Sequence, residues 1–317
     1  MTAYIGRRLL QMIPLMFGIS LVLFALIQAA PGGPEGAFLQ SGRMVDARML
    51  DAYRHRLGVD KPVPVQYVRW LGAALSGHLG VSYSSSQPVS KMILERLPAT
   101  LELMGVSFLL AALVAVALGI FSAVKQYSAF DFLGTGFSFL GIAMPVFWFA
   151  LILQMVFGVW LKWLPISGTH TVGATSFSDH MEHLVLPAAV LSLRYIAGWS
   201  RYLRSSLLGV LRADYVRTAR AKGLPERVVV GVHAVRNALI PVVSVMALNL
   251  ADLFSGAVIT ETVFAWPGIG RMFVQAMLAR DYPLLMGILL LGSVMVLIFN
   301  LVADVVYAAL DPRIRYD

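Results

Sequence analysis

Long apolar runs alternate with short polar ones along most of the chain. Six of them approach or exceed the roughly 20 residues that a helix needs to cross a bilayer. They are Leu9–Ala29, Leu101–Val124, Phe132–Val159, Leu184–Trp199, Leu239–Val258 and Leu284–Leu310. The pattern predicts an all-α membrane protein with six transmembrane helices. The third run holds Pro145 in its interior, and the fourth is short and interrupted by Arg194. The first has a basic lead-in, Arg7-Arg8, but it is longer than the apolar part of a signal peptide and no small-residue cleavage pattern follows it. It reads as a retained helix. Between the first and second runs lies a polar segment, residues 31–98. It opens with the breaker Pro31-Gly-Gly-Pro34 and holds amphipathic stretches over Met44–Leu57 and Val65–Leu75. The expected organisation is a helix in residues 1–30, an external segment in 31–98, a transport core in 99–310 and a tail in 311–317.

Charge sets the expected orientation. Loops rich in Lys and Arg stay in the cytoplasm. The loop after the fourth run carries Arg201, Arg204, Arg212, Arg217, Arg220, Lys222, Arg227 and Arg236. The loops at 160–183 and 259–283 carry only Lys162, Arg271 and Arg280. A cytoplasmic N-terminus and six spans put the basic loop and the C-terminus on the cytoplasmic side. Dropping the weak fourth span would separate them. Of the 317 residues 58% are hydrophobic and 13% charged, which fits a polytopic membrane chain and not a soluble domain. The formal net charge of +8 sits in loops beside apolar runs, so topology explains it and nucleic acid need not. With no cysteine, disulfides and thiolate chemistry are excluded.

Catalytic signatures are missing. There is no P-loop and no G-x-S-x-G, and Gly268-Ile-Gly270 lacks the setting of a dinucleotide site. His180 and His183 are spaced to ligate a metal, but a lone external pair is more often simply part of a polar loop. Four ionisable residues lie in or near the spans: Glu102, Arg194, Asp252 and Asp304. Such groups are costly in lipid and face the bundle interior or a water path. Asp252 reads either as lining a translocation path or as a packing or ion-pair residue. Glu102 is expected in the first turn of its helix, Arg194 to pair or snorkel, and Asp304 to pair with Arg313 or Arg315. Small residues recur at helical spacing, Ala111, Ala115 and Gly119 in one span and Ala247, Ala251 and Ser255 in another, which suits close helix packing.

The basic loop Asp214–Pro241 is patterned. Tyr215–Lys222 holds good helix formers with a basic face. Gly223 follows as a helix stop, because glycine accepts the left-handed conformation. Pro225 can open a second helix at its first turn. Helix, glycine turn and helix make either a rigid plug for another protein or an amphipathic element resting on membrane lipid.

In this loop YVRTARAKGL resembles the coupling loop of the membrane subunits of bacterial ABC importers, in particular the peptide and nickel permease group. The resemblance runs nearly the full length, through RRLLQMIPLMFGIS, PGGP, RLPATLELM, MPVFW, WLPISG, HLVLPA, RTARAKG, RNALIPV, ETVFAWPGIGR and RDYP in that order. Aligned on Gly223, Arg217 and Thr218 replace the Glu and first Ala of the general Glu-Ala-Ala pattern, and Ala219 matches its second Ala. What the resemblance implies is a type I ABC importer permease fold and a transport subunit that is not itself an enzyme. Its partners would be a similar second permease, two cytoplasmic ATPases, an external solute-binding protein and a peptide substrate. ATP and magnesium would be bound by the partner ATPases, and no cofactor by this chain. Tyr215, Arg217, Thr218, Ala219, Arg220, Lys222, Gly223 and Pro225 would form the coupling element within 201–237, with Asp252 in the pathway. Nickel chelates or glutathione are alternative substrates within that family. A proton-coupled carrier using Asp252 is the alternative outside it.

Overall fold

The computed structural model describes residues 2–29, 61–174 and 176–310. The stretch Met44–Leu57 and the tail 311–317 lie outside them. Among the described residues the structure is helical, apart from an isolated bridge between Val81 and Pro88. The helices are α1 (Thr2–Gln28), α2 (Val63–Leu75), α3 (Val89–Val124), α4 (Ala129–Ala143), α5 (Val146–Leu153), α6 (Phe177–Leu211), α7 (Asp214–Ala221), α8 (Val235–Val263), α9 (Ile269–Leu278) and α10 (Tyr282–Leu310). A π-helical turn, Gln154–Trp160, continues α5. A short lead-in, Glu226–Val228 and the π turn Val229–Ala234, enters α8.

By length and composition, four helical stretches are apolar enough to cross a membrane: Ile5–Leu26, Val89–Val124, Glu226–Val263 and Tyr282–Ala308. The run Phe132–Val159 is not one straight span. α4 and α5 meet at a bend of 113°. Pro145 explains it, because proline has no N–H to continue the ladder and pushes the preceding residue out of the helical region. Met144 is extended there, at φ −81° and ψ 126°. Taken as one broken span, the pair is the fifth.

The weak fourth run lies in α6, which has 35 residues. At 1.5 Å per residue that is about 52 Å, longer than a ~30 Å hydrocarbon core. Its charges keep it out of the apolar set, yet Leu184, Leu186, Val190, Leu191, Trp199, Leu203 and Leu207 are all buried. α6 is thus largely buried within the chain.

Two compact units divide the chain. One holds the described residues within 101–266 and 298–310; the other holds the described residues within 2–100 and 267–297. α9 and the first half of α10 therefore group with the N-terminal residues.

In the first unit α6 packs most extensively on α8 and α4. The predicted small-residue stripe does what its spacing suggests. Ala111 and Ala115 are fully buried, and a Cβ at Gly119 would come within 2.8 Å of the Leu203 Cβ. The second stripe divides: Ala247 is buried but Ser255 is exposed. Trp199 of α6 donates its indole N–H to Asn249 Oδ1 of α8 at 2.8 Å and meets Phe108 edge-on. Each of α4 and α6 is capped by a serine that accepts the N–H of an aspartate three residues on, Ser128 from Asp131 and Ser176 from Asp179.

In the second unit Tyr67 of α2 packs between Phe17 and Phe24 of α1, and its hydroxyl meets Ser20 Oγ at 2.8 Å. Asp281 is fully buried. Its carboxylate accepts hydrogen bonds from the Ser82 and Ser84 hydroxyls and from the N–H groups of Tyr83, Ser84 and Leu284. Burial works to raise its pKa, but these donors outweigh it and hold the carboxyl below its ordinary value.

Candidate functional site: a helical elbow and a charged cavity

Both features are built on α6. After Arg212 and an extended Ala213, the chain turns into α7. Asp214 in its first turn and Arg220 in its last suit the helix dipole. Gly223 ends it at φ +77°, where a Cβ would be strained. The Gly223 N–H bonds to the Arg220 carbonyl at 2.9 Å and the Leu224 N–H to the Ala219 carbonyl at 3.4 Å. That pairing is a Schellman stop. Pro225 caps the lead-in at φ −65° and ψ 143°, so it precedes the helical turn instead of occupying its first position.

A bidentate bridge locks the elbow. The Arg220 Nη2 and Nε donate to the Glu226 carboxylate at 2.6 and 3.2 Å across the glycine turn. That hydrogen bonding raises the guanidinium pKa further. Beneath it Val216, Ala219 and Val229 form a small buried cluster against Val210. The elbow is thus seated on the end of α6 by an apolar foot.

The predicted coupling residues therefore separate. Tyr215, Arg217, Thr218, Arg220, Lys222, Gly223 and Pro225 are exposed, whereas Ala219 is buried in the foot. Val216 and Glu226 were missed. Val216 is legible in hindsight from its i, i+3 spacing to Ala219; Glu226 needed the geometry of the turn.

Earlier on α6, Arg194 and Tyr195 border a cavity of about 300 Å³. Asp252, Ser255 and Ile259 of α8 form the opposite wall, with Val146 of α5. On α8 the residues Leu248, Asp252, Ser255, Ile259 and Thr262 are all exposed. Their spacing puts them on one helix face. Asp252 thus lies on the cavity wall. Asn249 Nδ2 donates to its Oδ2 at 3.2 Å. Arg194 is exposed, and among the described residues no ion pair joins it to Asp252.

Glu102 is placed differently from the expectation. It lies well inside α3, which begins at Val89, so it is not a first-turn residue. It meets His180 Nε2 at 2.8 Å. His180 also contacts the Thr169 carbonyl, and His183 that of Asp179. No group of three or more metal-ligating side chains converges among the described residues. Arg313 and Arg315, the expected partners of Asp304, lie outside the described residues.

Sequence comparison defines the class. A family model described as "binding-protein-dependent transport system inner membrane component" matches residues 115–316, and the model of its N-terminal region matches 1–104. The chain belongs to this family of membrane transport components. It is 43% identical over 323 residues to the oligopeptide transport system permease protein AppB of Bacillus subtilis, covering 100% of both chains. It is 42% identical to the di/tripeptide transport system permease protein DppB of Pseudomonas aeruginosa, covering 100% of this chain and 99% of that one. The dipeptide permease DppB of Escherichia coli is 38% identical, with the same coverage. Among solved structures, that of an amino acid ABC transporter with histidines aligns at a TM-score of 0.51 and 14% identity, covering 69% of this chain and 94% of that one. That likeness concerns the fold alone. The resemblance read from the ordered motifs is borne out, and with it the permease fold.

Proposed function

We propose that this chain is the permease subunit of an ATP-driven importer of short peptides. Full-length similarity to permeases named for oligopeptides and dipeptides carries the reading. In it, the chain forms half of a translocation pathway with a second permease. An external binding protein delivers the peptide. Two ATPases, which bind ATP and magnesium, dock on the cytoplasmic elbow. The chain itself performs no chemistry and binds no cofactor.

The elbow supports docking by its construction. A stop fixed by Gly223, a bridge from Arg220 to Glu226 and a buried foot leave little freedom between α7 and α6. A stiff connector transmits displacement, where a flexible one would absorb it. Tyr215, Arg217, Thr218 and Lys222 offer an exposed basic face to a partner, while Ala219 anchors from below. Asp252 would line the pathway. A carboxylate on that exposed face of α8 is costly against lipid, which suits a surface closed by a second permease around water.

Reconstitution tests the reading. Proteoliposomes holding both permeases, the ATPases and the binding protein should accumulate a labelled dipeptide only with ATP. Accumulation by this chain alone, driven by a proton gradient, would instead establish the carrier alternative.

A further inference from the structure

The cavity between α6 and α8 has an arrangement that translocation in general does not require. Arg194 stands on one wall and Asp252 on the other, unpaired across about 300 Å³. Charges in a membrane bundle are costly and ordinarily pair where they can reach each other. Here, among the described residues, no ion pair joins the two. Asp252 is positioned by a relay: buried Trp199 donates to Asn249 Oδ1, and Asn249 Nδ2 donates to the Asp252 carboxylate. Asn249 can thus present only its amide N–H groups to Asp252, so the carboxylate keeps its acceptor role. The rest of the lining is mostly apolar, from Val146, Leu191, Gly256 and Ile259, with the hydroxyl-bearing side chains of Tyr195 and Ser255 beside them.

We infer that this cavity binds the zwitterionic backbone of a short peptide. The ammonium group is drawn to Asp252 and the carboxylate to Arg194. The inference rests on the reading of the chain as a peptide permease and adds a specificity site to it. One cation and one anion give the lining no net charge, so it matches a ligand with both termini free. The apolar wall accepts varied side chains without selecting among them. The volume is at the small end of ligand sites, roughly 300–1,000 Å³. A single charged contact at each end favours entry yet permits release, which conduction demands.

The absence of cysteine makes a direct test available. Ser255→Cys places the chain's one thiol on the cavity wall. In proteoliposomes of the complete transporter, the labelling rate of that thiol by N-ethylmaleimide is measured with and without dialanine. Dialanine at ten times its dissociation constant should slow labelling roughly tenfold, since free sites fall as 1 + [L]/Kd. N-acetyl-dialanine amide, which lacks both charges, should give no protection. Asp252→Asn or Arg194→Gln should each abolish protection by dialanine, while Arg194→Lys should retain it. Equal protection by the blocked analogue would overturn the inference, as would a thiol that no peptide protects. So would a thiol unreactive in every nucleotide state, which would mean that the partner permease fills the cavity. Uptake of labelled dialanine by the unsubstituted transporter separates the two readings. Uptake without protection refutes the cavity alone; no uptake refutes the peptide permease itself.

Discussion

Two of the three arginines of α6, Arg194 and Arg204, lie ten residues apart, about 15 Å along its axis, with opposite fates. Arg204 meets Asp131 of α4 through two hydrogen bonds of 2.7 Å, and the Asp131 side chain is only 4% exposed. Asp131 also accepts the Tyr127 N–H at 2.9 Å. Arg194 has a carboxylate on the facing helix and no bond to it. The first charge is spent on holding helices together; the second is left available. An ionisable residue in a bundle is thus not a functional residue by its identity. What distinguishes the two is whether the fold brings the counter-charge within bonding distance.

The sharpest way to break this contrast is to unpair Arg204. Asp131→Asn should lower stability by about 3 kcal/mol, because the guanidinium then lacks its buried partner. A thermal melt of the detergent-solubilised protein would read this. Asp131→Arg with Arg204→Asp should recover part of the loss. A melt unchanged by Asp131→Asn would remove the structural half of the comparison.

Asp281 offers a third case, a buried carboxylate satisfied by neutral donors. Asp281→Ala orphans several of them and should cost about 2 kcal/mol. The pH dependence has a definite sign. A carboxyl held below its ordinary value contributes stability that is present above the unfolded value, near 3.9. That contribution is lost as pH falls through the lower folded value. Melts of the unsubstituted protein should therefore fall off below about pH 4, and those of Asp281→Asn should show a shallower fall. Parallel pH profiles would contradict the assignment.

At the elbow, Gly223→Val should cost about 1–2 kcal/mol, the penalty for a side chain in the left-handed region. No atom lies within 4 Å of the position a Cβ would take, so the effect is conformational and not steric. Gly223→Asn should be milder, since asparagine tolerates that conformation. Co-purification of the ATPases should weaken in the same order, valine before asparagine. Equal retention of the ATPases by both variants would dissociate the turn from docking.

The smallest stability effect belongs to Arg194→Gln. With no ion pair to lose, the melt should move by no more than about 0.5 kcal/mol, although dipeptide uptake falls. A destabilisation as large as that of Asp131→Asn would show Arg194 to be structural after all, and would erase the contrast on α6.

How much of this was legible depended on the range of the interaction. The spans in α1, α3, α8 and α10 follow from apolar runs, because lipid contact leaves a composition averaged over 20 or so residues. The elbow was legible for the same reason of locality. Helix formers in Tyr215–Lys222, a glycine at 223 and a proline at 225 are choices made by backbone sterics within a few residues. Even there the face was not. Ala219 belonged to the expected coupling set, and the structure buries it with Val216 under Val229, a contact ten residues away. α6 shows the limit from the other side. Its hydropathy is weak because its neighbours are protein, and its polar groups answer to Asp131 and Asn249 rather than to lipid.

The sequence by itself therefore determined the class of the protein, its apolar spans in α1, α3, α8 and α10 and the glycine turn at 223. Each is a matter of local backbone geometry or of averaged burial. Only the tertiary structure decided which charges were satisfied. Arg204 and Asp131 lie 73 residues apart and meet; Arg194 and Asp252 line one cavity and do not. Pairing between charges is a question of a few ångströms, and sequence separation carries no information at that scale.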